Sequence, residues 1–269
     1  MAIKLMYITN NIEVANIAEE YGVNRIFVDL ETIGKKERQG GMDTVQSHHT
    51  LNDVKKIKKH LTKAELLVRS NPIYENSKRE IDTIIENGAD IIMLPYFKTV
   101  KEVQKFLKYI DGRTKTCLLF ETPEAVKKAD EILELSGIDE VFIGLNDLSL
   151  GYGKKFMFEL LVDGTVEKLC LKFKLKGVPY GFGGIAAIGT GTLPAETILR
   201  EHYRLGSTCV ILSRSFCNCY KIGDIDEIKK IFEVGISCIR SFENEISFHS
   251  KYFENNTEKI KDSIKKIVR

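Results

Sequence analysis

The sequence predicts an α/β fold, a closed (β/α)8 barrel of the TIM type with additional C-terminal helices. Three observations predict it. Eight short apolar runs alternate with amphipathic helical segments along the chain, the pattern of a parallel sheet covered by helices. Several of these runs are apolar at every position, as in strands buried on both faces. The first βα turn lacks the glycine fingerprint of an open doubly wound sheet, the alternative fold at this length.

The elements follow in order. IKLMYIT, Ile3 to Thr9, reads as the first strand, and NIEVANIAEEYG as a helix closed by Gly22. RIFVDLE, Arg25 to Glu31, is the second strand. A polar loop covers Thr32 to Thr50, ahead of a helix with Leu51, Val54, Ile57 and Leu61 on one face. ELLVRSNP, DIIMLPY, CLLFET, EVFIGLND, YGFGGIAA and TCVILSRSF are strands three to eight. Helices are expected over residues 77–87, 100–110, 123–135, 165–176 and 194–205. The prolines agree with this register: Pro72, Pro95 and Pro123 follow strands, Pro179 precedes one, and Pro194 opens a helix. The barrel is expected over residues 1–222. A helical extension over 223–269 is expected to pack on the barrel or on a neighbouring subunit. The apolar insert Lys154 to Asp163 reads as a lid, a subunit contact or a packed loop.

Composition excludes several functions. Forty basic and 38 acidic residues leave a formal charge of +2, which gives no electrostatic footprint for nucleic acid. No run approaches the roughly 18 apolar residues of a membrane span, and the N-terminus does not read as a signal peptide. The six cysteines include no Cys-x-x-Cys pair, so a zinc site is not expected and a cytoplasmic location is.

The chemistry lies in a spacing. Arg69, Pro95, Glu121 and Asp147 recur at intervals of 26 residues, each near the end of a successive strand. A uniform βα unit would bring Arg69, Glu121 and Asp147 to the rim where such barrels build active sites. Glu121 and Asp147 would then end neighbouring strands, about 5 Å apart. Two carboxylates that close repel each other unless a proton or cation lies between them, and hard oxygen ligands suit Mg²⁺ or Mn²⁺. The alternative is that each acid merely caps the following helix. An arginine at the rim suits carboxylate or enolate oxygens. Gly183 and Gly184 lie in a glycine-rich loop before Pro194, where backbone N–H groups and a helix start would favour an anion. Ser213 could join them, with Arg214 and Ser215 beside it.

VRSNP, ADIIMLPYFKTVKEV, LLFETPEA and IGLNDLSLG, in that order, resemble the HpcH/HpaI aldolase and citrate lyase beta-subunit family, from about Phe27 to Ser215. The resemblance implies a barrel with a divalent metal, Mg²⁺ or Mn²⁺, held by Glu121 and Asp147. It implies that Arg69 contacts substrate oxygens, and that the reaction makes or breaks a C–C bond beside an enolate. The substrate would be a 2-keto acid or an acyl-CoA thioester, and the assembly a homo-oligomer, trimeric or hexameric. Two departures stand out. The histidine that aldolases of the family carry soon after the second-strand acids is replaced by Thr32, Ile33 and Gly34; the nearest are His48 and His49. The acidic pair of the citrate lyase branch is kept only in part, as Asp29-Leu30-Glu31-Thr32. Asp29, Glu31, His49 and a metal-bound water therefore all stand as candidates for the base. An acyl-CoA lyase and a non-catalytic barrel subunit remain the alternatives.

Overall fold

Eight parallel strands close on themselves in chain order, in a computed structural model that describes residues 2–35, 49–247, 253 and 255–268. They are β1 (Lys4–Ile8), β2 (Arg25–Asp29), β3 (Glu65–Arg69), β4 (Ile91–Leu94), β5 (Lys115–Phe120), β6 (Glu140–Ile143), β7 (Tyr180–Ile185) and β8 (Cys209–Leu212). The predicted barrel is therefore the observed one.

The pleat explains how the strands carry both core and chemistry. Successive side chains point to opposite faces of a strand. On β2, Ile26 and Val28 face the helices, and Phe27 sits in the apolar cluster that fills the bore. Leu67, Met93, Leu119 and Phe142 from β3 to β6 share that cluster. Two residues below Phe27, the fully buried Arg25 donates to Glu65 Oε2 (2.8 Å) and Glu140 Oε1 (2.6 Å). Lys115 closes the network on Glu65 Oε1 at 2.7 Å. Two residues above Phe27 stands Asp29, in register with Arg69 of β3. The bore is thus layered, with charge at the bottom, apolar packing in the middle and charge at the mouth.

The helices are α1 (Ile12–Glu20), α2 (Leu51–His60), α3 (Ser77–Glu86), α4 (Val100–Ile110), α5 (Pro123–Lys127), α6 (Ala129–Leu133), α7 (Leu145–Gly151), α8 (Thr165–Leu175), α9 (Ala195–Leu205), α10 (Cys219–Ile222), α11 (Ile225–Ser247) and α12 (Asn256–Val268). Their starts are chemically marked. Thr50 with Asp53, and Thr99 with Glu102, form capping boxes on α2 and α4.

Three expectations change. The single helix expected over 123–135 breaks at Lys128, whose N–H turns back to the carbonyls of Glu124 and Ala125. EVFIGLND is not one strand: β6 stops at Ile143, and Gly144 starts α7. The insert is a packed loop rather than a lid. Its 3₁₀ turn, Met157–Leu161, buries Phe158, Leu160 and Leu161 against α7, α8 and α12.

The last two helices dock on their own barrel. Tyr7 of β1 meets Phe232 of α11 edge to face at 4.9 Å. Helix α12 buries Ile260 and Ile264, and Asn256 Nδ2 donates to Thr197 O (3.0 Å) and Glu201 Oε1 (2.7 Å) of α9. Among the described residues no helix is long and apolar enough to cross a membrane. All six cysteines are free thiols.

Candidate active site

The mouth of the bore opens into a cavity of about 380 Å³ whose walls include Asp29, Lys35, Arg69, Glu121, Asp147, Gly183, Gly184 and Ser213. Such cavities at the C-terminal ends of the strands are where barrels of this kind do their chemistry. Most of the residues singled out from the sequence therefore meet in one place.

Asp29 and Arg69 are its rigid centre. Arg69 Nε and Nη2 donate to the two Asp29 oxygens, both at 2.9 Å. Lys35 Nζ adds a third bond to Asp29 Oδ2 at 2.6 Å. Burial alone would raise the Asp29 pKa, but Arg69 and Lys35 outweigh it and hold the carboxyl far below its usual range. Burial acts against the Arg69 charge, yet Asp29 and Glu31 raise its pKa further. The guanidinium also lies over the Phe27 ring, 5.6 Å from its centroid. Nε and Nη2 are committed to Asp29, and Arg69 Nη1 has no partner among the described residues.

Glu31 is buried just beyond β2, 3.4 Å from Arg69 Nη2 and 3.9 Å from Lys35 Nζ. It is not among the walls of the cavity. Asn71 fixes the turn between them. Its Oδ1 accepts the N–H groups of Thr32 (2.9 Å) and Ile33 (3.0 Å), while its Nδ2 donates to Glu80 (2.8 Å).

Glu121 follows directly on the apolar strand β5. It is the next inward residue after Leu119, and the pleat carries it to the mouth. Tyr96 donates its backbone N–H to Glu121 Oε1 at 2.9 Å, with Tyr96 in the left-handed region at φ 47°, a conformation costly for a residue with a side chain. Gly144, the residue just past β6 and opposite, leaves room: a Cβ there would lie 2.7 Å from Glu121 Oε2. Burial pushes the Glu121 pKa well up, Glu31 and Asp147 push the same way, and Arg69 and the Tyr96 N–H oppose them.

The position of Asp147 corrects the spacing argument. Arg69 ends β3, and Pro95 and Glu121 directly follow β4 and β5, but β6 ends four residues before Asp147. Asp147 thus comes from the first turn of α7, not from the strand beside Glu121, and Gly144 takes the expected place. Both acids still face the same cavity, and Asp147 is buried.

His49 folds back over β2. Its Nδ1 accepts the Asp29 backbone N–H at 3.0 Å, and its Nε2 lies 3.2 Å from the Tyr220 hydroxyl. Tyr220 lines the cavity and His49 does not. His48 lies outside the described residues. Gly183 and Gly184 belong to β7 itself, at a register shift against β8. A Cβ on Gly183 would meet Leu145 at 2.7 Å, so this glycine provides clearance for α7. Beyond it, the chain's own Glu196 accepts the Gly189 N–H at 2.8 Å near the start of α9. Ser213 and Arg214 reach the cavity after β8, and Ser215 does not.

Four residues of the site were missed from sequence. Lys35 carried one signal, its position four residues after Glu31. Gly144, Tyr96 and Tyr220 act through clearance, a backbone N–H and a long-range contact, which leave no local pattern.

The donor chemistry fits a hard divalent cation. Among the described residues, Asp29, Glu31, Glu121 and Asp147 stand at or beside the cavity with the cations Arg69, Lys35 and Arg214, an excess of one negative charge when all are ionised. Among those residues no group of three or more acid, histidine or cysteine side chains is gathered to hold an ion. An ion on Glu121 and Asp147 would therefore complete its shell with water or substrate.

Solved structures share the architecture. An HpcH/HpaI aldolase from Desulfitobacterium hafniense DCB-2 superposes with a TM-score of 0.62 at 16% identity, over 85% of this chain and 93% of that one. An HpcH/HpaI aldolase/citrate lyase family protein from Burkholderia cenocepacia J2315 gives 0.60 at 14%, over 85% and 95%. The citrate synthase SbnG gives 0.61 at 14%, over 85% and 94%. At these identities the likeness shows the fold alone. No protein of curated function matches the sequence. The sequence profile of HpcH/HpaI aldolase/citrate lyase matches residues 4–161, from β1 through α7 and the insert, and on that match the chain belongs to the HpcH/HpaI aldolase/citrate lyase family.

Proposed function

We propose that the protein is a metal-dependent carbon–carbon lyase that makes or breaks a bond beside the enolate of a pyruvate-like 2-keto acid. The observation that carries this reading is the convergence of Glu121, Asp147 and Arg69 on one cavity, with the Glu121 charge opposed by burial and by its acidic neighbours. That repulsion suits a site built around Mg²⁺ or Mn²⁺, which Glu121 and Asp147 would hold. When bound, such an ion supplies Lewis acidity to the keto acid as its enolate forms.

The chain's own residues supply the rest. Arg69, fixed in two bonds by Asp29, presents its remaining N–H groups to the developing oxyanion at no cost of reorganisation. Lys35 shares Asp29 and keeps that acid ionised, so that the arginine stays in place. The apolar floor of Phe27, Leu119 and Phe142 keeps water from beneath the reacting carbons.

Proton exchange at the methyl group of pyruvate in D₂O, followed by NMR, tests the reading without knowledge of the partner substrate. Exchange is expected with Mg²⁺ or Mn²⁺, lost with EDTA and in Glu121→Gln. Arg69→Ala is expected to slow it by about 10²–10³, the usual loss of one oxyanion donor. Absence of exchange with every metal would sink the proposal.

A further inference from the structure

We infer that Tyr220, set by His49, is the hydrogen-bond donor for the carbonyl oxygen of the second substrate; this rests on the lyase reading above. A hydrogen-bond chain of fixed direction leads to Tyr220. The Asp29 backbone N–H has only its proton to give, so His49 Nδ1, at 3.0 Å, must be an acceptor. The neutral imidazole then carries its proton on Nε2. That proton points to the Tyr220 oxygen 3.2 Å away. A phenol oxygen that accepts from histidine keeps its own proton to donate. Among the described residues, that proton has one acceptor, Asn10 Oδ1, at a long 3.4 Å, a separation at which a hydrogen bond is weak. A ligand oxygen in the cavity competes readily for it.

Position identifies the ligand. Tyr220 is on α10, after β8, and its partners His49 and Asn10 come from the loops before α2 and after β1. Glu121 and Asp147 follow β5 and β6, on the other side of the closed ring. The keto acid belongs with the acids and Arg69, and the cavity runs on past them to Tyr220. A second substrate there would lie with its carbonyl between the enolate carbon and the phenol. In condensation the enolate carbon bonds to the carbonyl carbon, and the C=O π pair moves onto oxygen. The Tyr220 hydroxyl stabilises that alkoxide, which takes its proton from water reaching the 58% exposed ring. Cleavage is the reverse, with the hydroxyl proton lost to water. Tyr220 keeps its proton throughout, and His49 is a positioning residue.

The test compares two rates in each variant: methyl exchange of pyruvate alone, and its condensation with acetaldehyde or glyoxylate. Tyr220→Phe is expected to lower kcat/KM for condensation about 3- to 10-fold relative to exchange, the range for one lost hydrogen bond. His49→Asn, which keeps an acceptor for Asp29 but no donor for Tyr220, should match that loss and add nothing in the Tyr220→Phe background. His49→Gln, which restores a donor near the Nε2 position, should recover most of it. Equal losses of exchange and condensation, or additive His49 and Tyr220 effects, would overturn the assignment. A wild-type protein that shows no exchange removes the lyase reading and this assignment with it.

Discussion

Gly144→Ala is the most direct probe of how the site is built. The glycine sits at φ −81°, where alanine is allowed, so the substitution adds one methyl group without backbone strain. That methyl carbon would lie 2.7 Å from Glu121 Oε2, 2.8 Å from Glu121 Cβ and 3.2 Å from Leu119 Cδ1. Carbon atoms in contact rest about 3.5–4.0 Å apart, so Glu121 must retreat by about 1 Å. It has little freedom to do so, because it is buried and its other oxygen is held by the Tyr96 N–H. A misplacement of about 1 Å costs roughly 10²-fold in rate, equivalent to about 2.7 kcal/mol. Overpacking adds about 1–3 kcal/mol of lost stability. The assay is pyruvate methyl exchange with Mn²⁺, alongside Mn²⁺ affinity by water proton relaxation and a thermal melt. Exchange and affinity both within twofold of wild type would refute the reasoning, since Glu121 would then not be the group the glycine makes room for.

Two further predictions concern stability. His202 is buried and stacked on Phe182 with ring centroids 3.8 Å apart, and burial lowers its pKa from 6.5 to about 3. The unfolded chain therefore binds a proton that the folded one refuses. Stability from this group is complete above pH 6.5 and falls as the pH drops towards 3, by about 2 kcal/mol at pH 5. Denaturant melts from pH 7 to 5 should show a shallower loss for His202→Gln than for wild type; parallel curves would exclude the cause. At the bottom of the bore, Arg25→Met strands Glu140 and leaves Glu65 to Lys115 alone. It should cost about 3–5 kcal/mol in a urea melt, and a loss below 1 kcal/mol would mean that the network does not hold that end closed.

The fold was legible because its signals are local. Strands buried on both faces, capping threonines and strand-end prolines can each be read within a few residues. Arg69 and Glu121 were legible for a related reason: a side chain two residues beyond the last core position on an inward-facing row must reach the mouth. Asp147 was placed correctly in the cavity from a wrong premise, because the unit between β5 and β6 is shorter than its neighbours and the acid returns on a helical turn. Tyr96 and Tyr220 were illegible because their roles are long-range. A backbone N–H points at a glutamate 25 residues away, and a tyrosine meets a histidine 171 residues earlier. None of these distances is encoded by periodicity. The docking of α12 depended in the same way on Asn256 reaching α9.

The network of Arg25, Glu65, Lys115 and Glu140 also has a kinetic consequence. It stoppers the bore, and the apolar layer above it is filled, so no path runs through the barrel and whatever binds must enter and leave at the C-terminal ends of the strands. In the proposed reaction two substrates and their product would share that end. A keto acid held by Glu121 and Arg69 would then have the partner across the Tyr220 side of the cavity. On that reading the second reactant slows release of the first, and excess partner should retain the keto acid rather than compete with it.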